Sequence, residues 1–326
     1  MKNKCSVLIF VLLLVAMLSA CSNSKDNSKA AANYPKKTIQ LIVPWDAGGD
    51  TDAVNRIIAE ELEDVLGQTV VVKNIPGGSG VIGAQEALNA KNDGYTLLGV
   101  HDSVAMSDLM GQADFGYFDF EPISLMTSTY NAIATNPDNP WDSMEDLAED
   151  AKANPGEISY AASIGSISQL EPALIQTSAD IEFNIVGFDG TAQRMKALVA
   201  NDVALGSVSL TAGKDYMEDG RMKLLGYTGE ERSDDLPDLP TLKEQGIDIV
   251  SAANRGIMAP KDTPDAIIKK LDGALEEVAN RDTFKKKMDD LGTEVNYQNT
   301  ANYREFLKEN EKQMKESLES SNLIDE

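Results

Sequence analysis

Residues 39–72 read IQLIVPWDAGGDTDAVNRIIAEELEDVLGQTVVV, and this stretch decides the fold class. Ile39 to Val43 is a short apolar run that suits a buried strand. It ends in the small and polar loop Pro44-Trp45-Asp46-Ala47-Gly48-Gly49-Asp50-Thr51-Asp52. Ala53, Val54, Ile57, Ile58, Leu62, Val65 and Leu66 then follow helical spacing with one apolar face. Thr69 to Lys73 (TVVVK) reads as the second strand. Strand, helix and strand in succession build a parallel sheet covered by helices.

The alternation continues along the chain. Tyr95–Val100, Pro122–Thr135, Ile158–Ala162, Phe183–Gly187, Val203–Val208 and Met222–Tyr227 read as strands. Val81–Ala90, 143–152, Gln169–Ser178, Thr191–Ala200, Pro264–Asn280, Thr283–Asp290 and Thr300–Leu318 read as helices. Ser143 and Asp146 have capping-box spacing. The fold class is therefore α/β.

Composition limits the function. The chain has 326 residues, 29 Lys plus Arg against 53 Asp plus Glu, and a net charge of -24. Binding to nucleic acid needs a basic face, so that class is excluded. One histidine and two cysteines leave no Cys/His zinc site and no disulfide scaffold. The start is a different signal. Lys2 and Lys4 precede an apolar run from Val7 to Leu18, too short to span a bilayer but long enough for an export signal. The run ends Leu18-Ser19-Ala20-Cys21, which resembles the bacterial lipobox. Residues 1–20 are then a lipoprotein signal, Cys21 is the lipidated residue, and 21–33 form a flexible tether. Membrane contact is expected through that lipid only.

Polar residues gather where strands end. After the loop that contains Trp45, Ala47, Gly48, Gly49, Asp50 and Thr51 come His101-Asp102-Ser103, then Ser163 to Ser168 with Gly165 and Ser166. Phe188-Asp189-Gly190 and Ser207 follow later strands. Ligands of open parallel sheets bind at such carboxyl ends, although helix N-caps favour the same residue types. Two other motifs carry less. Gly78-Ser79-Gly80-Val81-Ile82-Gly83 matches a dinucleotide fingerprint, but Asn74-Ile75-Pro76-Gly77 separate it from the strand, where that fold allows almost no gap. His101, Asp102 and Ser103 are adjacent in sequence, which seldom gives triad geometry.

The chain from Tyr34 to about Leu318 resembles the extracytoplasmic receptors of tripartite tricarboxylate transporters, the Bug family. The resemblance rests on Tyr34-Pro35, Ile39-Gln40-Leu41-Ile42-Val43-Pro44-Trp45, Ala47-Gly48-Gly49, Thr51-Asp52, Leu66-Gly67-Gln68, Asp93-Gly94-Tyr95-Thr96, Asn154-Pro155-Gly156, Leu236-Pro237-Asp238-Leu239-Pro240-Thr241 and Arg255-Gly256 through Thr263-Pro264. It implies a type II periplasmic-binding-protein fold: two α/β lobes, a ligand cleft and two crossing segments. The lobes are expected at 34–127 with 227–326, and at 128–226. It further implies a non-enzymatic solute receptor that needs no cofactor or metal. Its ligand is a small organic acid, its partners are integral membrane transporter subunits, and it is expected to be a monomer outside the cytoplasm; the lipobox adds the lipid anchor to the membrane. A sensor's accessory receptor and an exported hydrolase are the other readings.

The carry-over assigns ligand contacts to the Trp45–Thr51 loop, Ser163 to Ser168 and Phe188-Asp189-Gly190. The chain departs from the family's pattern at Asp50, Asp189, Ala204 and Asn254. Arg255 is the one strong cation that the sequence reading brings to the cleft, where it is expected to hold a carboxylate. Asp50 is expected to accept N–H groups of its own loop and to repel highly charged acids.

Overall fold

The structure is a computed structural model that describes residues 33–188 and 191–324. The signal, Cys21, nearly all of the tether, Asp189 and Gly190 lie outside the described residues. The first part of the chain forms β1 (Ile39–Val43), α1 (Asp50–Leu66), β2 (Val70–Asn74), α2 (Val81–Leu88), β3 (Thr96–His101), α3 (Ser103–Leu109) and β4 (Phe120–Thr135). The middle forms α4 (Met144–Ala153), β5 (Ser159–Ala162), α5 (Ile167–Ala179), β6 (Asn184–Gly187), α6 (Thr191–Val199), β7 (Leu205–Ser209), α7 (Leu210–Glu218) and β8 (Lys223–Tyr227). The chain ends with β9 (Ala252–Pro260), α8 (Asp265–Asn280), α9 (Asp282–Asp289), β10 (Glu294–Gln298) and α10 (Thr300–Ser320).

The strands line up as β2-β1-β3-β9-β4-β7-β5-β6, and β10 and β8 also pair with β4. β4 is the common spine. Phe120 to Tyr130 pair with β9, and Asn131 to Thr135 pair with β7. The βαβ units are parallel as expected, in β1 with β2 and β3, and in β5 with β6 and β7. The expectation of parallel sheets throughout is corrected at the centre. β9 runs antiparallel to β3 and β4, because it carries the chain back against the strands that left.

Alternation along the strands divides the core between faces. Leu41, Leu97 and Ile257 face the apolar sides of α1, α8 and α9, including Ile58, Leu62, Leu271, Leu275 and Phe284. Their neighbours Ile42, Leu98 and Met258 face α2, α3 and α10. Each fully buried Leu, Ile or Phe here contributes about 1.5–3 kcal/mol. The second half has its own two clusters, one around Ile133, Tyr160 and Leu205, the other around Ala134, Leu198 and Val208.

The return crossing differs from the expected boundary. Leu242, Ile247 and Ile249 pack in the second half, and Leu236 and Leu239 pack against its other cluster. Thr228 is fully buried where the crossings meet. Its N–H donates to Asn131 O at 2.9 Å, its hydroxyl donates to Ser251 O at 2.7 Å and accepts from Asn131 N–H at 2.8 Å. The segment 228–251 thus packs with the middle of the chain, not with the ends.

Candidate ligand-binding cleft

The loop after β1 is braced from below. α1 begins after Gly49 without a side-chain cap, and Asp50 is its exposed first residue. The expectation that Asp50 takes the loop's N–H groups is corrected, since Asp52 does this. Its buried carboxylate accepts from Gly48 N–H at 2.8 Å, Asn74 Nδ2 at 2.8 Å and Arg56 Nε at 2.9 Å. Burial pushes the Asp52 carboxyl up, but the bonds from Arg56, Gly48 and Asn74 outweigh it and hold the group below its ordinary range. Asn74 also donates to Trp45 O at 3.0 Å. The decoy glycines have a packing role: a Cβ on Gly83 would stand 2.5 Å from Ile75 O and 2.8 Å from Pro44 Cα.

The end of β3 supplies a wall. The Trp45 and His101 rings stack with centroids 3.7 Å apart. His101 Nδ1 accepts from Ser103 N–H at 3.1 Å, so the neutral ring carries its proton on Nε2. Burial, and then the charge of Arg255, hold the imidazole well below its usual pKa. Ser103 Oγ is fully buried and has no hydrogen-bond partner among the described residues, so His101 and Ser103 do not form the side-chain pair of a triad. Asp102 is a bracket rather than an open ligand group. Its carboxylate accepts from Tyr117 OH at 3.1 Å, Asn310 Nδ2 at 2.6 Å and Asn254 N–H at 2.9 Å. Burial pushes its pKa up against those hydrogen bonds.

The antiparallel register sets Arg255 beside His101. Arg255 is only 5% exposed. Its Nε donates to Thr51 Oγ1 at 3.1 Å, and Nη1 donates to Thr129 Oγ1 at 2.5 Å and Ala253 O at 3.4 Å. All three acceptors are neutral, and among the described residues no carboxylate lies within ion-pairing distance of it. Burial lowers its pKa, opposed by the charges of Asp50 and Asp102. Neighbouring Asn254 is turned away to Asp102 and to Ser128, whose hydroxyl donates to Asn254 Oδ1 at 2.8 Å.

On the second half, the loop of Ser163 to Ser168 is held by local hydrogen bonds. Ser163 N–H donates to Ser168 Oγ at 2.9 Å, Gly165 N–H to Gln169 Oε1 at 2.7 Å, and Ser166 Oγ to Ser163 O at 2.8 Å. Ser207 turns inward to Tyr160 OH at 2.7 Å and to Glu171. Phe188 packs half-buried on the second-half core. Sequence reasoning missed two charged residues here. Glu171 is buried and its carboxyl is pushed up by burial. Arg194, on α6, is 9% exposed and donates to Ser163 Oγ at 2.7 Å and Thr191 Oγ1 at 3.1 Å. Helical spacing makes Arg194 resemble an ordinary solvated residue. A charged residue inside the apolar run Leu170-Glu171-Pro172-Ala173 was the available signal for Glu171.

The halves meet at a rim, where Ser79 Oγ donates to Ile164 O at 3.2 Å. Leu170 of α5 packs with Met314 and Leu318 of α10. Burial lowers the pKa of Arg194, opposed by the charges of Tyr160, Asp50 and Glu171. At this rim the Ser163 loop, with Arg194 of α6 bonded to it, comes close to the turn that packs against Trp45, while Asp102, Asn254 and Ser207 form their bonds within their own halves. Among the described residues no group of three or more His, Cys, Asp or Glu is placed to hold a metal ion.

Comparison with known proteins agrees over nearly the whole chain. BugT of Bordetella pertussis is 32% identical over 254 residues, 76% of this chain and 78% of that protein. The solved periplasmic binding protein BugD matches with a TM-score of 0.81 and 31% identity, over 89% of this chain and 99% of that one. The structure of R. palustris Rpa4515 with adipate matches at 0.80 and 26%, over 89% and 98%. These neighbours establish the two-lobed periplasmic-binding-protein fold. The sequence profile described as "Tripartite tricarboxylate transporter family receptor" matches residues 54–323, and the chain belongs to that family of non-enzymatic, extracytoplasmic solute receptors.

Proposed function

We propose that the chain binds a small organic acid between its halves and presents it to the integral membrane subunits of a tripartite tricarboxylate-type transporter. The observation that carries this reading is Arg255, which is buried and whose hydrogen-bond acceptors among the described residues are all neutral. A buried guanidinium without a counter-ion is costly, and a ligand carboxylate held bidentately relieves that cost. The loop from Trp45 through Gly48 to Thr51 forms the near side of the site, and the halves close about Asn131, Thr228 and Ser251. The adipate held by Rpa4515 supports an acid ligand. Thermal melts against mono-, di- and tricarboxylates, amino acids and sugars test the reading. A bound acid at a hundred times its Kd adds about 2.7 kcal/mol and raises the melting temperature. Stabilisation by sugars alone, with every acid inert, contradicts the proposal.

The same proposal places the receptor as a monomer on the outer face of the cell membrane, held by lipid on Cys21. Cys21→Ser is expected to release the protein into the soluble fraction or to block its maturation. Fractionation checks this, and a mutant that matures and stays anchored removes the lipid from the account.

A further inference from the structure

We propose that Arg194 is a second acid anchor, so that the ligand is a diacid gripped by one arginine on each half of the molecule. This rests on the acid-receptor reading above and adds the number and placement of the acid groups. Arg194 is nine-tenths buried, and its Nε has no hydrogen-bond partner among the described residues. Among the described residues, hydroxyls aim it: Nη1 donates to Ser163 at 2.7 Å and Ser168 at 3.3 Å, and Nη2 donates to Thr191 at 3.1 Å. Hydroxyls orient a guanidinium without neutralising it. The carboxylate of buried Glu171 takes its hydrogen bonds from Ser207, Tyr160 and Asn131, and it acts on Arg194 through its charge without a direct bond.

Arg194 mirrors Arg255, which is also buried and also held by threonine hydroxyls. The two residues lie on opposite halves, and contacts at the rim bring their loops together: Arg194 holds Ser163, the next residue Ile164 accepts from Ser79 Oγ at 3.2 Å, and a Cβ on Gly80 beside Ser79 would stand 2.9 Å from Trp45, in the loop that leads to Arg255's partner Thr51. Ser163 and Ser168 sit at the start of α5, whose N-terminal end adds to the attraction for an anion. A monoacid leaves one guanidinium without a counter-ion, while a diacid pairs both. A third carboxylate meets Asp50 rather than a cation.

Calorimetry with matched probes tests this: succinate against butyrate, and adipate against hexanoate. In the parent, at least one diacid is expected to bind tenfold or more tighter than its matched monoacid. Arg194→Gln is expected to abolish that preference, weakening the diacid at least tenfold and leaving the monoacid within about twofold. Arg194→Lys keeps the charge and loses the planar fork, so it recovers part of the preference. If Arg194→Gln shows no cooperative melt, the Lys variant is read instead, and a preference as large as the parent's overturns the proposal. Equal losses for diacid and monoacid, or a parent indifferent to the second acid group, also overturn it while the receptor reading stands. If no acid binds at all, both readings fall.

Discussion

Arg255→Ala is expected to weaken an acid ligand by about 2–5 kcal/mol, thirtyfold or more. The size follows from burial. Thr51 and Thr129 fix the guanidinium beside His101, and its pairing with a carboxylate takes place out of water, where charge-assisted bonds are strongest. Removing the guanidinium leaves the ligand's carboxylate desolvated against two hydroxyls and a neutral imidazole. Arg255→Lys restores a point charge but not the fork, so recovery is partial. Titration calorimetry with the acid found in the melts measures the loss. Parent-like affinity in Arg255→Ala places the cation outside the site.

The second large effect is on stability. Asp102→Ala is expected to cost about 3 kcal/mol and to lower the melting temperature by roughly 5–10 °C. The substitution leaves three donors without their acceptor: Tyr117 OH, Asn310 Nδ2 and Asn254 N–H. Each unmade bond of a buried group costs about 1–3 kcal/mol, partly offset by no longer burying a carboxylate. These donors belong to the approach to β4, to α10 and to β9, so one side chain ties three distant parts of the sequence together. The pH dependence has a definite sign. Burial raises the folded pKa of Asp102 above its unfolded value. Its contribution is therefore fullest below the unfolded value near 3.9 and declines as the pH rises through the folded pKa. The deficit of Asp102→Ala is expected to be larger at pH 4 than at pH 7 in calorimetric melts. An equal deficit at both values contradicts the account.

Local pattern carried the fold where it was made locally. Ile39–Val43 reads as a strand and is one, and the long helix read from Pro264 to Asn280 begins one residue later, at Asp265. Ser143 accepts from Asp146 N–H at 3.1 Å, as the capping spacing implies. β9 escaped the reading because its sequence, AANRGIMAP, offers only Ile257 to Ala259 as an apolar run. It is a strand because β3 and β4 leave a slot of that width between them. β10 (EVNYQ) lies on the outer side of β4 and is half polar for the same reason. Arg255 could be singled out in the sequence because it sits in a motif next to glycine. Arg194 was not, since only tertiary packing turns that position of α6 away from water. Asp50 and Asp52 are indistinguishable as caps in sequence, and the bonds to Asn74 and Arg56 decide between them.

The place of β9 in the sheet also governs the order in which the molecule can be completed. A ribosome delivers β1, β2, β3 and β4 first, yet β3 and β4 are not neighbours. Their shared partner arrives more than a hundred residues later, followed by the helices that cover Leu41 and Leu97 on one face. The middle of the chain has its strands and both of its clusters by Ile249. The half written second is therefore the first able to close, and the half written first stays an open sheet with two bare edges until Pro260 is made. A nascent or truncated chain that stops before Ala252 presents those edges to any other strand.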